Sequence, residues 1–94
     1  MDLKVPYKTA KNKQEAYTAA KGQLTQEYIA KWNIPCEVKY DDSKCQIEAK
    51  GKGFTLGVHF NDTEAQVSID LSFLLKAFKK TVLEKVEHKL AKHI

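Results

Sequence analysis

Ninety-four residues, 43% hydrophobic and 30% charged, can bury one core but not two. That balance excludes a disordered chain, and the short apolar runs exclude a membrane-spanning helix. Net charge is +4 and every basic side chain is lysine; without the arginine fork, bidentate reading of bases is disfavoured and only diffuse attraction to anionic surfaces remains.

The excess charge is localised. Ser72–Ile94 holds six lysines against Glu84 and Glu87, whereas the ten lysines and ten acids of residues 1–71 cancel. The opening MDLKVPYKTAKNK has no apolar run of the kind a secretory signal needs, so the expected address is cytoplasmic.

Taken in order, Leu3, Val5 and Tyr7 alternate as a short strand that Pro6 confines to a sheet edge. Thr9 and Asn12 are candidate helix caps. From Asn12 to Trp32, Ala16, Tyr17, Ala20, Leu24, Tyr28 and Trp32 recur at steps of three and four, which predicts one helix with a single apolar stripe. Thr25 and Ile29 fall off that stripe. Asn33-Ile34-Pro35 is expected to end the helix, because proline biases the residue before it toward extended backbone. The aromatic members read as core packing under a sheet rather than as a stacking platform.

Residues 36–71 alternate with period two. Cys36, Val38 and Tyr40, then Cys45, Ile47 and Ala49, then Phe54, Leu56, Val58 and Phe60, then Ala65, Val67, Ile69 and Leu71 share one face. Four strands joined at Asp41-Asp42-Ser43, Gly51-Lys52-Gly53 and Asn61-Asp62-Thr63 make an antiparallel meander with one buried and one solvated face. Gly51 is the expected site of positive φ. The expected register pairs Tyr40 with Cys45, Val38 with Ile47 and Cys36 with Ala49. It puts the cysteines roughly 13 Å apart, beyond the ~7 Å reach of a disulfide, so two buried, reduced thiols are expected.

The final segment reads SFLLKAFKKTVLEKVEHKLAKHI. Leu75, Phe78, Val82, Val86 and Leu90 form a second helical stripe, widened by Leu83, with Ser72 as its expected cap. Lys79 would fall inside that stripe if one helix ran from Phe73, so a separate first turn is expected, with the regular helix beginning near Lys76 or Ala77. The fold class is therefore α+β: a four- to five-stranded antiparallel meander with two amphipathic helices on one face, in the order β-α-β-β-β-β-α.

Chemistry-bearing constellations are sparse. His59, His88 and His93 lack metal-ligand spacing, and Cys36 and Cys45 point to the core while His59 points away, so no cysteine–histidine pair forms. Gly51-Lys52-Gly53 is too short for a phosphate cradle and opens no helix. Phe73, Leu74, Leu75 and Phe78 point in several directions, more than one core can cover, and the leftover surface predicts a partner or homodimer contact.

The stretch Val67-Ser68-Ile69-Asp70-Leu71-Ser72-Phe73-Leu74-Leu75-Lys76-Ala77-Phe78-Lys79, followed by a helix ending Lys89-Leu90, resembles the polyhydroxyalkanoic acid system (granule-region) family of small bacterial proteins. The order of elements matches over nearly the whole chain. Two departures stand out: the family pattern has proline where Ala77 stands, and histidines near Tyr7 to Thr9 that are missing here.

The resemblance implies association with polyhydroxyalkanoate storage granules and supplies no catalytic residues. The resulting expectation is a non-enzymatic accessory protein without cofactor or metal. Phe73, Leu74 and Phe78, flanked by Lys76, Lys79 and Lys80, would contact the granule surface or granule proteins, and charge reversal at Lys79 and Lys80 should weaken that contact. A rival expectation is a reduced helix-grip binder of a small hydrophobic ligand, with a cavity between Phe54, Val58, Ile69, Val82 and Val86. Non-specific nucleic-acid binding through the basic last helix comes third.

Overall fold

Side-chain alternation builds the sheet, and helix breaks decide what covers it. The computed structural model describes residues 2–32 and 36–94, apart from the Leu74 side chain. The strands are β1 (Leu3–Pro6), β2 (Glu37–Asp41), β3 (Gln46–Gly51), β4 (Phe54–Phe60) and β5 (Glu64–Leu71). They form one antiparallel sheet ordered β1-β5-β4-β3-β2. Pro6 lies on an edge strand as expected, where its missing N–H costs no ladder bond.

The inward set Ile47, Ala49, Phe54, Leu56, Val58, Phe60, Ala65, Val67, Ile69 and Leu71 is buried. The helices α1 (Lys13–Gln23), α2 (Gln26–Ala30) and α3 (Lys79–His93) supply the other layer. From them Ala16, Tyr17, Ala20, Ile29, Val82, Val86 and Leu90 enter the same core.

The expected single helix from Asn12 to Trp32 is two helices. Asn12 caps the first, its Oδ1 accepting from the Glu15 N–H at 2.9 Å. Leu24 then leaves helical geometry, and Thr25 Oγ1 accepts from the Tyr28 N–H at 3.1 Å to start the second. The break resets the helical phase, which turns Ile29 into the core and leaves Tyr28 and Trp32 half-buried. Trp32 packs edge-on against Tyr28 and Phe54. The helix end expected at Asn33-Ile34-Pro35 lies outside the described residues.

The β2–β3 register differs from expectation by two residues: Tyr40 pairs with Ile47 and Val38 with Ala49. Asp41 causes it by capping a wider turn. Its Oδ1 accepts from the N–H of Ser43 and of Lys44, each at 3.1 Å, and Cys45 closes the turn in the left-handed region at φ 50°. The shift is even, so each side chain keeps its expected face, although in β2 Val38 is only half-buried and Tyr40 is 36% exposed. Cys45 is buried and Cys36 only half-buried, both as free thiols, and burial raises the pKa of the Cys36 thiol. The positive φ expected at Gly51 belongs instead to Gly53, at 75°, the second central position of a two-residue turn.

The open edge of β2 is partly covered by a side chain. Gln26 Nε2 donates to the Cys36 carbonyl at 2.8 Å, and Gln26 Oε1 accepts from the Val38 N–H at 3.0 Å. A single amide thus imitates a neighbouring strand where unpaired edge groups invite aggregation. At the far end, the main-chain oxygen of Ile94 accepts from three consecutive N–H groups, Lys8, Thr9 and Ala10, at 2.8–2.9 Å. Its side chain is fully buried, so α3 is anchored where it meets the segment after β1.

Candidate binding surface

Between β5 and α3 the chain runs as a 3-10 helix, Phe73–Phe78. Three residues per turn instead of 3.6 advances each side chain by about 20° more than an α-helix does. Over six residues the offset reaches about 120°, which separates this cluster from the Val82, Val86 and Leu90 stripe. A distinct first turn was expected; the regular helix begins at Lys79, slightly later than sequence placed it. Ser72 occupies the cap position, but its side chain makes no capping hydrogen bond. Instead its N–H donates to the Gly53 carbonyl at 2.8 Å, and its carbonyl accepts from the Leu75 N–H at 2.9 Å.

Phe73 is 86% exposed and Phe78 49% exposed, the two most exposed large hydrophobic side chains described. Leu75 is half-buried against the core, and Leu74, the third apolar residue expected in the contact, has its side chain outside the description. Lys76 and Lys80 are exposed beside them. Sequence reasoning therefore found the apolar cluster, and the structure puts its two phenylalanines in solvent.

Lys79 has another role. Its Nζ lies 2.9 Å from Asp2 Oδ1, while Asp2 Oδ2 accepts from the Ile69 N–H at 2.8 Å and the Asp2 N–H donates to the Val67 carbonyl at 2.8 Å. Asp2, the residue before β1, thus ties the start of α3 to β5. A charge reversal at Lys79 would break this tie as well as any surface contact, so Lys76 and Lys80 are the informative positions. Nothing near Asp2 in sequence signals a partner so far along the chain.

The ion pair also has a pH signature. The Ile69 N–H and then Lys79 hold the Asp2 carboxyl below its ordinary 3.8. Asp41 is lowered chiefly by Ser43, and Asp42 chiefly by the Tyr17 hydroxyl and then Lys21. A carboxyl whose folded pKa is depressed binds fewer protons folded than unfolded, so its contribution is full above the unfolded value and lost as pH falls through the folded one. The urea midpoint should therefore hold near neutrality and drop below about pH 4. Asp2→Asn should flatten that drop; an unchanged acid limb in this variant would remove Asp2 from the account.

Phe54, Val58, Ile69, Val82 and Val86 are all buried in the one core. Four surface depressions among the described residues each hold at most one of them, so these openings lend the helix-grip expectation no support. The largest of these four, about 660 Å³, is an open groove between β1 and α3 bordered by Lys4, Lys8, Glu84, Glu87 and His88. Among the described residues no group of three histidine, cysteine or acidic side chains could hold a metal, and no helix is long and apolar enough to cross a membrane.

Compared with known proteins, residues 5–94 match the model of a family described as putative polyhydroxyalkanoic acid system protein. Neither a curated protein nor a solved structure matches the chain at a significant level.

Proposed function

The chain belongs to the polyhydroxyalkanoic acid system family, and from that membership and the exposed turn we propose that it is a non-enzymatic accessory protein that attaches to storage granules. The observation that carries this reading is the solvent exposure of Phe73 and Phe78 on one short turn. Scattered exposed apolar residues are ordinary, but two exposed phenylalanines within six residues, with lysines between and after them, make a segment of the kind that marks attachment. The five-stranded sheet and α3 hold the turn in the segment that carries the chain's excess positive charge.

The test is co-sedimentation with polyhydroxyalkanoate particles. Because Phe73 is almost wholly exposed and Phe78 is half exposed, Phe73→Ser with Phe78→Ser should lower the unfolding free energy by no more than about 2 kcal/mol and leave the protein folded. Binding should fall at least tenfold. Full binding by a folded double variant would sink the assignment of this turn.

A further inference from the structure

We propose that this surface takes an anionic lipid layer, and that the tip of the β3–β4 hairpin, through Lys52, forms the second half of the contact. The inference rests on the attachment reading above and names the chemistry of its partner. Hairpin tip and 3-10 turn are locked together by the Ser72 N–H to Gly53 carbonyl bond of 2.8 Å. A methyl group on Gly53 would lie 2.8 Å from Ser72 Oγ and 3.0 Å from Ser72 Cβ, so the two elements touch without room for a side chain between them. Lys52 and Phe73 each sit one residue from that joint, and both are exposed.

Charge selects the partner. From Leu71 to Leu83 the sequence has Lys76, Lys79 and Lys80 and no acid. Lys79 is matched by Asp2, whereas Lys52, Lys76 and Lys80 have no ion-pair partner among the described residues. One acid is near: Asp70, exposed on the solvated face of the sheet, borders the depression at the Gly53–Ser72 joint, and against it stand the three lysines. Two exposed aromatic rings in one segment, with the exposed, unpaired Lys76 and Lys80 on the same segment and Lys52 on the hairpin joined to it, match a lipid layer, where rings settle at headgroup depth and ammonium groups meet anionic headgroups. An uncharged polyester would use the rings and leave the lysines idle.

The experiment is sedimentation of the full chain with phosphatidylcholine vesicles, with and without phosphatidylglycerol, at low and raised salt. Binding should appear with phosphatidylglycerol, fall as salt rises, vanish in Phe73→Ser with Phe78→Ser, and weaken about fivefold in Lys52→Gln. Equal binding to both vesicle types, or an unchanged Lys52→Gln, overturns the inference. Binding to bare polyester particles but to neither vesicle also overturns it while leaving the attachment reading intact. Vesicle binding by a protein that stays diffuse in polymer-accumulating cells supports the lipid inference and overturns granule attachment.

Discussion

Ile94→Ala should lower the unfolding free energy by about 2–5 kcal/mol, a large share of the roughly 5–15 kcal/mol that a domain of this kind has. The side chain is fully buried, so its truncation leaves a cavity as well as losing transfer free energy. The same residue's main-chain oxygen collects the Lys8, Thr9 and Ala10 amides. Those three N–H groups follow an edge strand and have no ladder to join, so an Ile94 that settles differently would leave them to water. Urea denaturation gives the magnitude, and amide exchange gives the location: protection should fall first at residues 8–10. A change below about 0.5 kcal/mol would mean that this clasp contributes little.

Gly53→Ala has the second large expected effect, on the order of 2–3 kcal/mol. Two causes act together. At φ 75° an L side chain meets its own backbone, and the new Cβ would press on Ser72 at 2.8 Å. Ser72 is the last residue before the 3-10 turn, so relief by movement displaces the turn that carries Phe73. Gly22 provides the contrast. It lies in α1, and a methyl added there would meet nothing within 4 Å, so Gly22→Ala should stabilise by up to about 1 kcal/mol. If both substitutions shift the denaturation midpoint alike, the strained joint is not what distinguishes Gly53.

What the sequence reveals follows the range of the interaction. Strand alternation is local, and the inward faces of β3, β4 and β5 were legible residue by residue. So was the mismatch at Lys79 that separates the 3-10 turn from α3. Register was less legible, because the β2–β3 shift depends on how Asp41 folds its own turn and on Cys45 taking positive φ, a conformation unusual for cysteine. The helix break was hidden because Thr25 reads as an off-stripe polar residue until its hydroxyl is seen capping Tyr28. Gly51 and Gly53 offer the same freedom, and only strand pairing places the loop at Lys52-Gly53. At the candidate surface, the apolar excess of Phe73–Phe78 was plain in the sequence. The Asp2–Lys79 pair and the Gly53–Ser72 joint were not, since each joins residues far apart in the chain.

The helix cap and the aromatic cluster show how local and distant terms combine. Asn12 was readable as a cap because the bond it makes spans three residues. Tyr17 was readable as core, yet its hydroxyl also donates to Asp42 across the β2–β3 turn, beside Lys21 at 3.0 Å from the same carboxylate oxygen. Burial and that acceptor raise the tyrosine pKa, keeping the hydroxyl a donor throughout the neutral range. The turn that set the unexpected register is thus also the turn that α1 holds in place.

The most direct test of granule attachment through the Phe73–Phe78 turn is localisation in a polymer-accumulating bacterium, with tagged wild type imaged beside Phe73→Ser with Phe78→Ser. Wild type should sit on the granules and the folded double variant should be dispersed. Wild type spread evenly through the cell, or a double variant that stays on the granules, would contradict it.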